Sequence, residues 1–193
     1  AVGSRDGYGT KPMRVISPGV DVERFRPDAA ARRVTRRELG FDDAGAPVVG
    51  FVGRFTPEKG ARFLTDVLDR VGTPWRALLV GAGPLEAQLR RWVASHGDRA
   101  RLRSDVMHDD VWRFLNAMDV LCVPSRTTRT WREQFGRATI EAFACGVPVI
   151  GSDSGDVKRP RGFYIIDRTE EVGFKPGEDL NVEKTIRLRR RIQ

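Results

Sequence analysis

A doubly wound parallel α/β sheet, Rossmann-like in its alternation, is the fold class that the sequence predicts, and three observations predict it. Apolar runs of strand length recur at 48–52, 77–80, 120–123 and 147–150, with a weaker one near Arg101-Leu102. Between them lie amphipathic stretches at 61–71, 85–96, 111–117 and 137–144. Short apolar strands alternating with such helices imply a parallel sheet covered on both faces. The third observation is the composition of the loops after the strands: Gly53-Arg54-Phe55-Thr56-Pro57-Glu58-Lys59-Gly60, then Gly81-Ala82-Gly83-Pro84, then Pro124-Ser125. In sheets of this kind ligands bind outside the carboxyl ends of the strands. Glycines that admit a ligand to the backbone, with Arg54 and Lys59 as cations, stand where chemistry is expected.

Taken in order, residues 1–13 read as a lead-in of Gly, Ser, Pro and charge without periodicity. Arg14-Val15-Ile16-Ser17 is strand-like, Pro18-Gly19 turns the chain, and a helix is expected over 29–39, stopping at Gly40. His96 ends the 85–96 helix beside Gly97, where a cation favours the helix dipole, so a capping role is expected. His108, next to Asp109 and Asp110, reads as solvent-exposed. Beyond residue 150, Gly162-Phe163-Tyr164-Ile165-Ile166 predicts one more strand, and 181–191 a final basic helix.

With 193 residues, of which 40% are hydrophobic and 31% charged, the chain has the size and balance of one globular domain. No apolar run approaches the roughly 18–20 residues of a membrane span, and the first residues lack a secretory pattern, so the expected location is the cytoplasm. Cys122 and Cys145 have neither metal-ligand spacing nor a disulfide framework, and read as buried inert thiols. A net charge of +8 implies attraction to polyanions: phosphorylated substrates, an anionic membrane surface or nucleic acid. Nucleic acid is disfavoured because no nucleic-acid motif is present and Trp75, Trp92, Trp112 and Trp131 are scattered along the chain.

The densest chemistry lies between Glu133 and Glu141, running on to Gly146-Val147-Pro148-Val149-Ile150. Phe135-Gly136 lets the backbone turn closely around a ligand, and the helix after it offers free amides and a dipole to an anion. Glu133 precedes that helix and Glu141 lies within it, so two acceptors flank the anion site. Taken singly, each glutamate would read as a solvated surface acid. The convergence with Arg54 and Lys59 favours a ligand with hydroxyls at both ends of a diphosphate.

Several of these motifs in one order resemble a known family. Val15-Ile16-Ser17-Pro18-Gly19-Val20-Asp21, Gly53-Arg54-Phe55 with Glu58-Lys59-Gly60, Gly81-Ala82-Gly83-Pro84-Leu85, Asp119-Val120 with Pro124-Ser125, the E-x-F-G-x-x-x-x-E run from Glu133 to Glu141, and Ser154-Gly155 are similar to the group 1 (family four) glycosyltransferases, retaining enzymes of the GT-B type. The resemblance implies hexosyl transfer from a nucleoside-diphosphate sugar. It implies that Arg54 and Lys59 bind the diphosphate, that Glu133 accepts from the donor sugar, and that the amides around Phe135, Gly136 and Arg137 meet sugar and phosphate. Glu141 would hold the ribose, with Gly53 and Gly81 close to the donor. The backbone of 104–106, ending at Val106, would border the nucleobase, although Ser104-Asp105 stands where a glycine is common.

No metal and no other cofactor is expected: fixed cations and a helix N-terminus suit a leaving diphosphate, and no Asp-x-Asp pair is present. The resemblance covers the donor-binding, C-terminal domain. Residues 1–13 would then be the remnant of an interdomain linker and 14–193 the Rossmann-like donor domain, with 156–193 divergent. An N-terminal acceptor-binding domain would be the missing partner. The same features fit a non-catalytic nucleotide-sugar-binding module, and less well a basic nucleic-acid-binding protein.

Overall fold

The computed structural model describes residues 19–41, 45–133, 136–152, 163–166 and 171–173, the last two stretches as backbone strands. In chain order the elements are α1 (Ala29–Glu38), β1 (Val48–Val52), α2 (Ala61–Leu68), β2 (Arg76–Val80), α3 (Glu86–Ser95), β3 (Ala100–Arg103), α4 (Val111–Ala117), β4 (Val120–Val123), α5 (Arg137–Ala144), β5 (Val149–Ser152), β6 (Phe163–Ile166) and β7 (Glu171–Gly173). The sheet order is β3-β2-β1-β4-β5-β6-β7. The first five strands are parallel, as predicted, and the order reverses between β1 and β4, where such sheets open a cleft.

β1, β2, β4 and β5 feed two cores because their side chains alternate between faces. In β2, Leu78 and Val80 join Phe25, Leu39, Phe114, Leu115 and Ala142 beneath α1, α4 and α5. Ala77 and Leu79 point the other way, to Leu64, Leu68 and Leu89 of α2 and α3. That two-sided burial explains why the strands read as continuous apolar runs rather than alternating ones. Both cysteines are buried, Cys122 in one core and Cys145 in the other. Burial, joined at Cys145 by the Glu141 carboxylate, pushes both thiols up to about 12, in keeping with inert packing.

The differences from the sequence reading have local causes. β6 and β7 are antiparallel to their neighbours, so the sheet is mixed. Residues 153–162 are too few for the crossover of about a dozen or more residues that a parallel return requires. β5 begins two residues later than its apolar run because Pro148 has no N–H for the ladder; its carbonyl still accepts from Leu121 N at 2.9 Å. α2 ends at Leu68, where Arg70 N to Val67 O (3.0 Å) and Val71 N to Leu68 O (3.2 Å) tighten the last turn into i→i+3 bonds. Residues 1–13, Arg14-Val15-Ile16-Ser17, Ser154-Gly155 and 181–191 lie outside the described residues.

The segment before β1 is fastened by charge. Asp28 caps α1 by accepting from Ala31 N at 2.8 Å, and its own N–H donates to Asn116 Oδ1 at 2.8 Å. Two turns of α1 then send Arg32 and Arg36 to the two oxygens of Asp119, at 2.7 and 2.6 Å, just ahead of β4. Val48 N, at the start of β1, donates to the same carboxylate at 2.8 Å. One buried acid thereby ties α1, β1 and β4 together at the end of the sheet remote from the strand carboxyl ends.

His96 does more than cap. Its backbone N–H closes α3 on Val93 O at 3.1 Å, while its ring lies 4.3 Å from the Trp92 ring and Nε2 is 3.1 Å from Asp69 Oδ1. Trp75 and Trp92, far apart in sequence, stack with centroids 5.8 Å apart and planes 9° apart. Two of the tryptophans read as scattered are thus a pair, yet Trp75 is buried and the pair offers no open stacking platform. No helix among the described residues is long and apolar enough to cross a membrane.

Candidate active site

The cleft lies beyond the carboxyl ends of β1 and β4, where the loops after those strands meet the start of α5. It encloses about 420 Å³. Seven of the ten residues singled out by sequence line it: Gly53, Arg54, Lys59, Glu133, Gly136, Arg137 and Glu141. Gly81 stands behind Gly53, and Val106 packs against the core before reaching the cleft. Phe135 lies outside the described residues.

Local sequence explains the placement. Pro57 at the first position of a 3-10 turn (Pro57–Lys59) fixes the chain after Thr56, and Gly60, with φ of 76°, passes it into α2. This holds Lys59 at a helix start with its ammonium over the cleft. On the other side, Gly136 sits at φ 66°, ψ 65°, a left-handed turn that side chains with a Cβ disfavour. Gly136 has no side chain to cap the helix behind it, Thr139 N closes the first turn on Gly136 O at 2.8 Å, and Gly136, Arg137 and Ala138 line the cleft at that helix start.

The two glutamates are not surface acids: their side chains are 14% exposed at Glu133 and 8% at Glu141. Glu133 Oε2 accepts from Lys59 Nζ at 2.7 Å and from Ser125 Oγ at 2.8 Å, and Ser125 is itself buried. Lys59 and Glu133, given separate roles by sequence, therefore stand as an ion pair. Arg54 is exposed on the same loop, and Arg137 projects from the first turn of α5.

Three more residues stand at the site: Ser125, which its strand end already singles out by sequence, Trp131, just ahead of Glu133, and His108, which reads from sequence as exposed and has a side chain 54% exposed. His108 lines the cleft, with Nε2 3.7 Å from Glu141 Oε1 and its ring 6.0 Å from that of Phe25. Ser125 anchors Glu133, and the Trp131 ring lies 5.0 Å from Lys59 Nζ. The order of elements held one usable signal: His108 comes soon after β3, at a strand carboxyl end like the other loops.

Burial holds the Glu141 carboxyl above the usual carboxylate range, against the opposing pull of His108 and Arg137. A carboxyl whose folded value is raised is ionised at a cost at neutral pH, and that cost disappears as pH falls through the raised value. Glu141→Gln is accordingly expected to stabilise the fold at pH 7 to 8 by about 0.5–2 kcal/mol, the gain common for a single stabilising substitution. Thermal unfolding at pH 5 and pH 8 checks this: the gain should shrink at the lower pH, and a variant less stable at pH 8 contradicts it.

Fold and cleft together define a doubly wound α/β domain of the GT-B kind, with its ligand cleft at the strand switch point. Residues 46–174 match the family Glycosyl transferases group 1, and the chain belongs to that family. It is 38% identical over 185 residues to a D-inositol 3-phosphate glycosyltransferase of Rhodococcus erythropolis, covering 86% of this chain and 38% of that protein. It is 32% identical over 158 residues to a GDP-mannose-dependent monoacylated alpha-(1-6)-phosphatidylinositol monomannoside mannosyltransferase of Corynebacterium glutamicum, covering 78% and 41%. Among solved structures, Anabaena HepE in complex with UDP-glucose superposes with a TM-score of 0.61 at 27% identity, over 74% of this chain and 39% of that one. The chain thus spans about two fifths of the length of the relatives it matches.

Proposed function

We propose that this chain is the donor-binding part of a retaining glycosyltransferase that takes a hexosyl group from a nucleoside-diphosphate sugar. The observation that carries the reading is the convergence on one cleft of two cations, a helix N-terminus and two largely buried carboxylates. Cleaving a glycosyl phosphate bond leaves growing negative charge on the diphosphate. Arg54, Lys59 and the first amides of α5 stabilise that charge where it develops, without a metal ion. Glu133, held by Ser125, accepts from sugar hydroxyls, and Glu141 accepts from the ribose. Gly53 admits the phosphates to the backbone, and the amides at Gly136 and Arg137 meet them, with Phe135 assigned to the same contact by family resemblance alone. Val106 borders the base through its backbone.

Support from relatives concerns the donor class: HepE is seen with UDP-glucose, and the corynebacterial relative is named for GDP-mannose dependence. The acceptor side of the reaction is assigned to a second, N-terminal domain of such an enzyme. In this reading the protein works in the cytoplasm, and its net charge of +8 favours contact with an anionic membrane face.

Calorimetric titration with UDP, GDP and ADP, each with and without EDTA, tests the site. Saturable binding that EDTA leaves unchanged is expected for one of them. Arg54→Ala should weaken it about 10- to 150-fold, the loss of one charge-assisted contact of about 1.5–3 kcal/mol. Absence of saturable binding, or an unaltered affinity in the variant, rejects the assignment.

A further inference from the structure

We propose that Trp131 is the positioning residue on the cation side of this cleft: its indole face keeps the Lys59 ammonium in place while that ammonium exchanges the Glu133 carboxylate for the ligand's diphosphate. The inference rests on the donor-site reading above and adds to it the group that makes Lys59 ready to change partners.

The geometry is a stack of three groups. Lys59 Nζ lies 5.0 Å from the Trp131 ring centroid, inside the roughly 6 Å range of a cation–π contact, and 2.7 Å from Glu133 Oε2. An ammonium has three N–H donors. One meets Glu133, and the ring attracts the charge as a whole without consuming a directed bond, so donors remain for an incoming anion. A lysine stem with four rotatable carbons would otherwise wander once its carboxylate partner was displaced. The indole removes that freedom.

Trp131 is itself held from both sides. Its carbonyl accepts from Thr128 N at 2.8 Å and its N–H donates to Thr128 Oγ1 at 3.0 Å, a closed turn over 128–131. The same loop is pinned to the lysine-bearing turn, because Arg126 N donates to Glu58 O at 2.7 Å. The ring and the ammonium are thus carried on two loops fastened to each other one residue away from Lys59. Glu133 does not depend on Lys59 alone: the buried Ser125 hydroxyl holds the same oxygen at 2.8 Å. When a diphosphate draws the ammonium away, the carboxylate stays in position with accepting capacity released for a sugar hydroxyl.

This arrangement makes the Lys59–Glu133 pair a placeholder. The carboxylate stands where a phosphate oxygen would compete for the same donor. Trp131 is the member of the stack that does not exchange.

Titration of the whole chain with UDP and GDP, in the wild type, Trp131→Phe, Trp131→Leu, Lys59→Ala and the Trp131→Leu/Lys59→Ala double variant, tests it. Trp131→Leu is expected to weaken diphosphate binding about 2- to 30-fold, and Trp131→Phe, which keeps a ring face, to recover most of that loss. In the Lys59→Ala background Trp131→Leu should add nothing, since its effect passes through the ammonium. Wild-type-like affinity in Trp131→Leu, or an equal loss with and without Lys59, overturns the inference while leaving the donor site standing. If the wild type binds neither nucleotide, the donor-site reading falls first and this inference with it. A quench or shift in indole emission on UDP addition that vanishes in Trp131→Phe gives an independent readout should the leucine variant fold poorly.

Discussion

Asp119→Ala is expected to lower the unfolding free energy by about 3–5 kcal/mol, the cost of breaking a buried ion pair from one side. The loss is large because the carboxylate holds Arg32, Arg36 and the Val48 N–H at once. Arg36, with 7% of its side chain exposed, would keep its bond to Ala117 O at 2.9 Å but lose the carboxylate at 2.6 Å. Arg32 would lose its 2.7 Å partner, and the fully buried Val48 would be left with an N–H lacking its acceptor at the start of β1. In a chain of this length each kcal/mol moves the thermal midpoint by about 2–4 °C, so a fall of about 6–20 °C should be measurable.

The pH dependence arises from the same contacts. Burial raises the Asp119 carboxyl, but Arg36, Arg32 and the Val48 N–H together outweigh it and hold it below the ordinary carboxylate range. A depressed folded value contributes stability that is fully present above the unfolded value of about 3.9 and is lost as pH falls through the folded one. The gap between wild type and Asp119→Asn, read by urea unfolding, should therefore be wide at pH 6 and close below about pH 4. Because Asp119 sits at the far end of the sheet from the cleft, UDP or GDP affinity at low temperature should survive the change. Equal urea midpoints at pH 6 would show that the pincer is decorative.

The strands and helices were legible because they arise from local periods. α4 and α5 begin and end where the apolar pattern of 111–117 and 137–144 changes, and β1 and β4 coincide with their apolar runs. The strand-end rule singled out Arg54 and Lys59 after β1 and Pro124-Ser125 after β4 before any contact was known. What the sequence did not display are the pairings made across many residues. Lys59 and Glu133 are 74 apart, and nothing in either neighbourhood says that the cation and the acid meet. Trp75 finds Trp92 through the packing of β2 against α3, and His108 reaches Glu141 through the packing of α4 on α5; neither has a period to betray it. The antiparallel turn of β6 was hidden for another reason: strand composition reports burial, while direction depends on connection length.

Gly81→Ala is expected to weaken nucleoside-diphosphate binding about 10- to 150-fold, the loss of one charge-assisted contact of about 1.5–3 kcal/mol as Arg54 is displaced. In the fold a Cβ on Gly81 would lie 1.9 Å from Gly53 O and 2.9 Å from Gly53 C, a contact with backbone that no rotamer change relieves. The residue also sits at φ 141°, which side chains with a Cβ rarely adopt. The two loops are laced tightly here: Gly53 N donates to Val80 O at 3.0 Å, Phe55 N to Ala82 O at 2.9 Å, and Leu85 N to Phe55 O at 2.9 Å. Any shift that admits the methyl must therefore carry Gly53 and Arg54 with it, and these line the cleft. Gly72→Ala is the matched control, since a Cβ there meets nothing within 4 Å and the change should leave affinity unaltered. If Gly81→Ala binds UDP or GDP as tightly as Gly72→Ala, the loop after β1 is not held by the loop after β2. Arg54 would then owe its place over the cleft to its own loop alone.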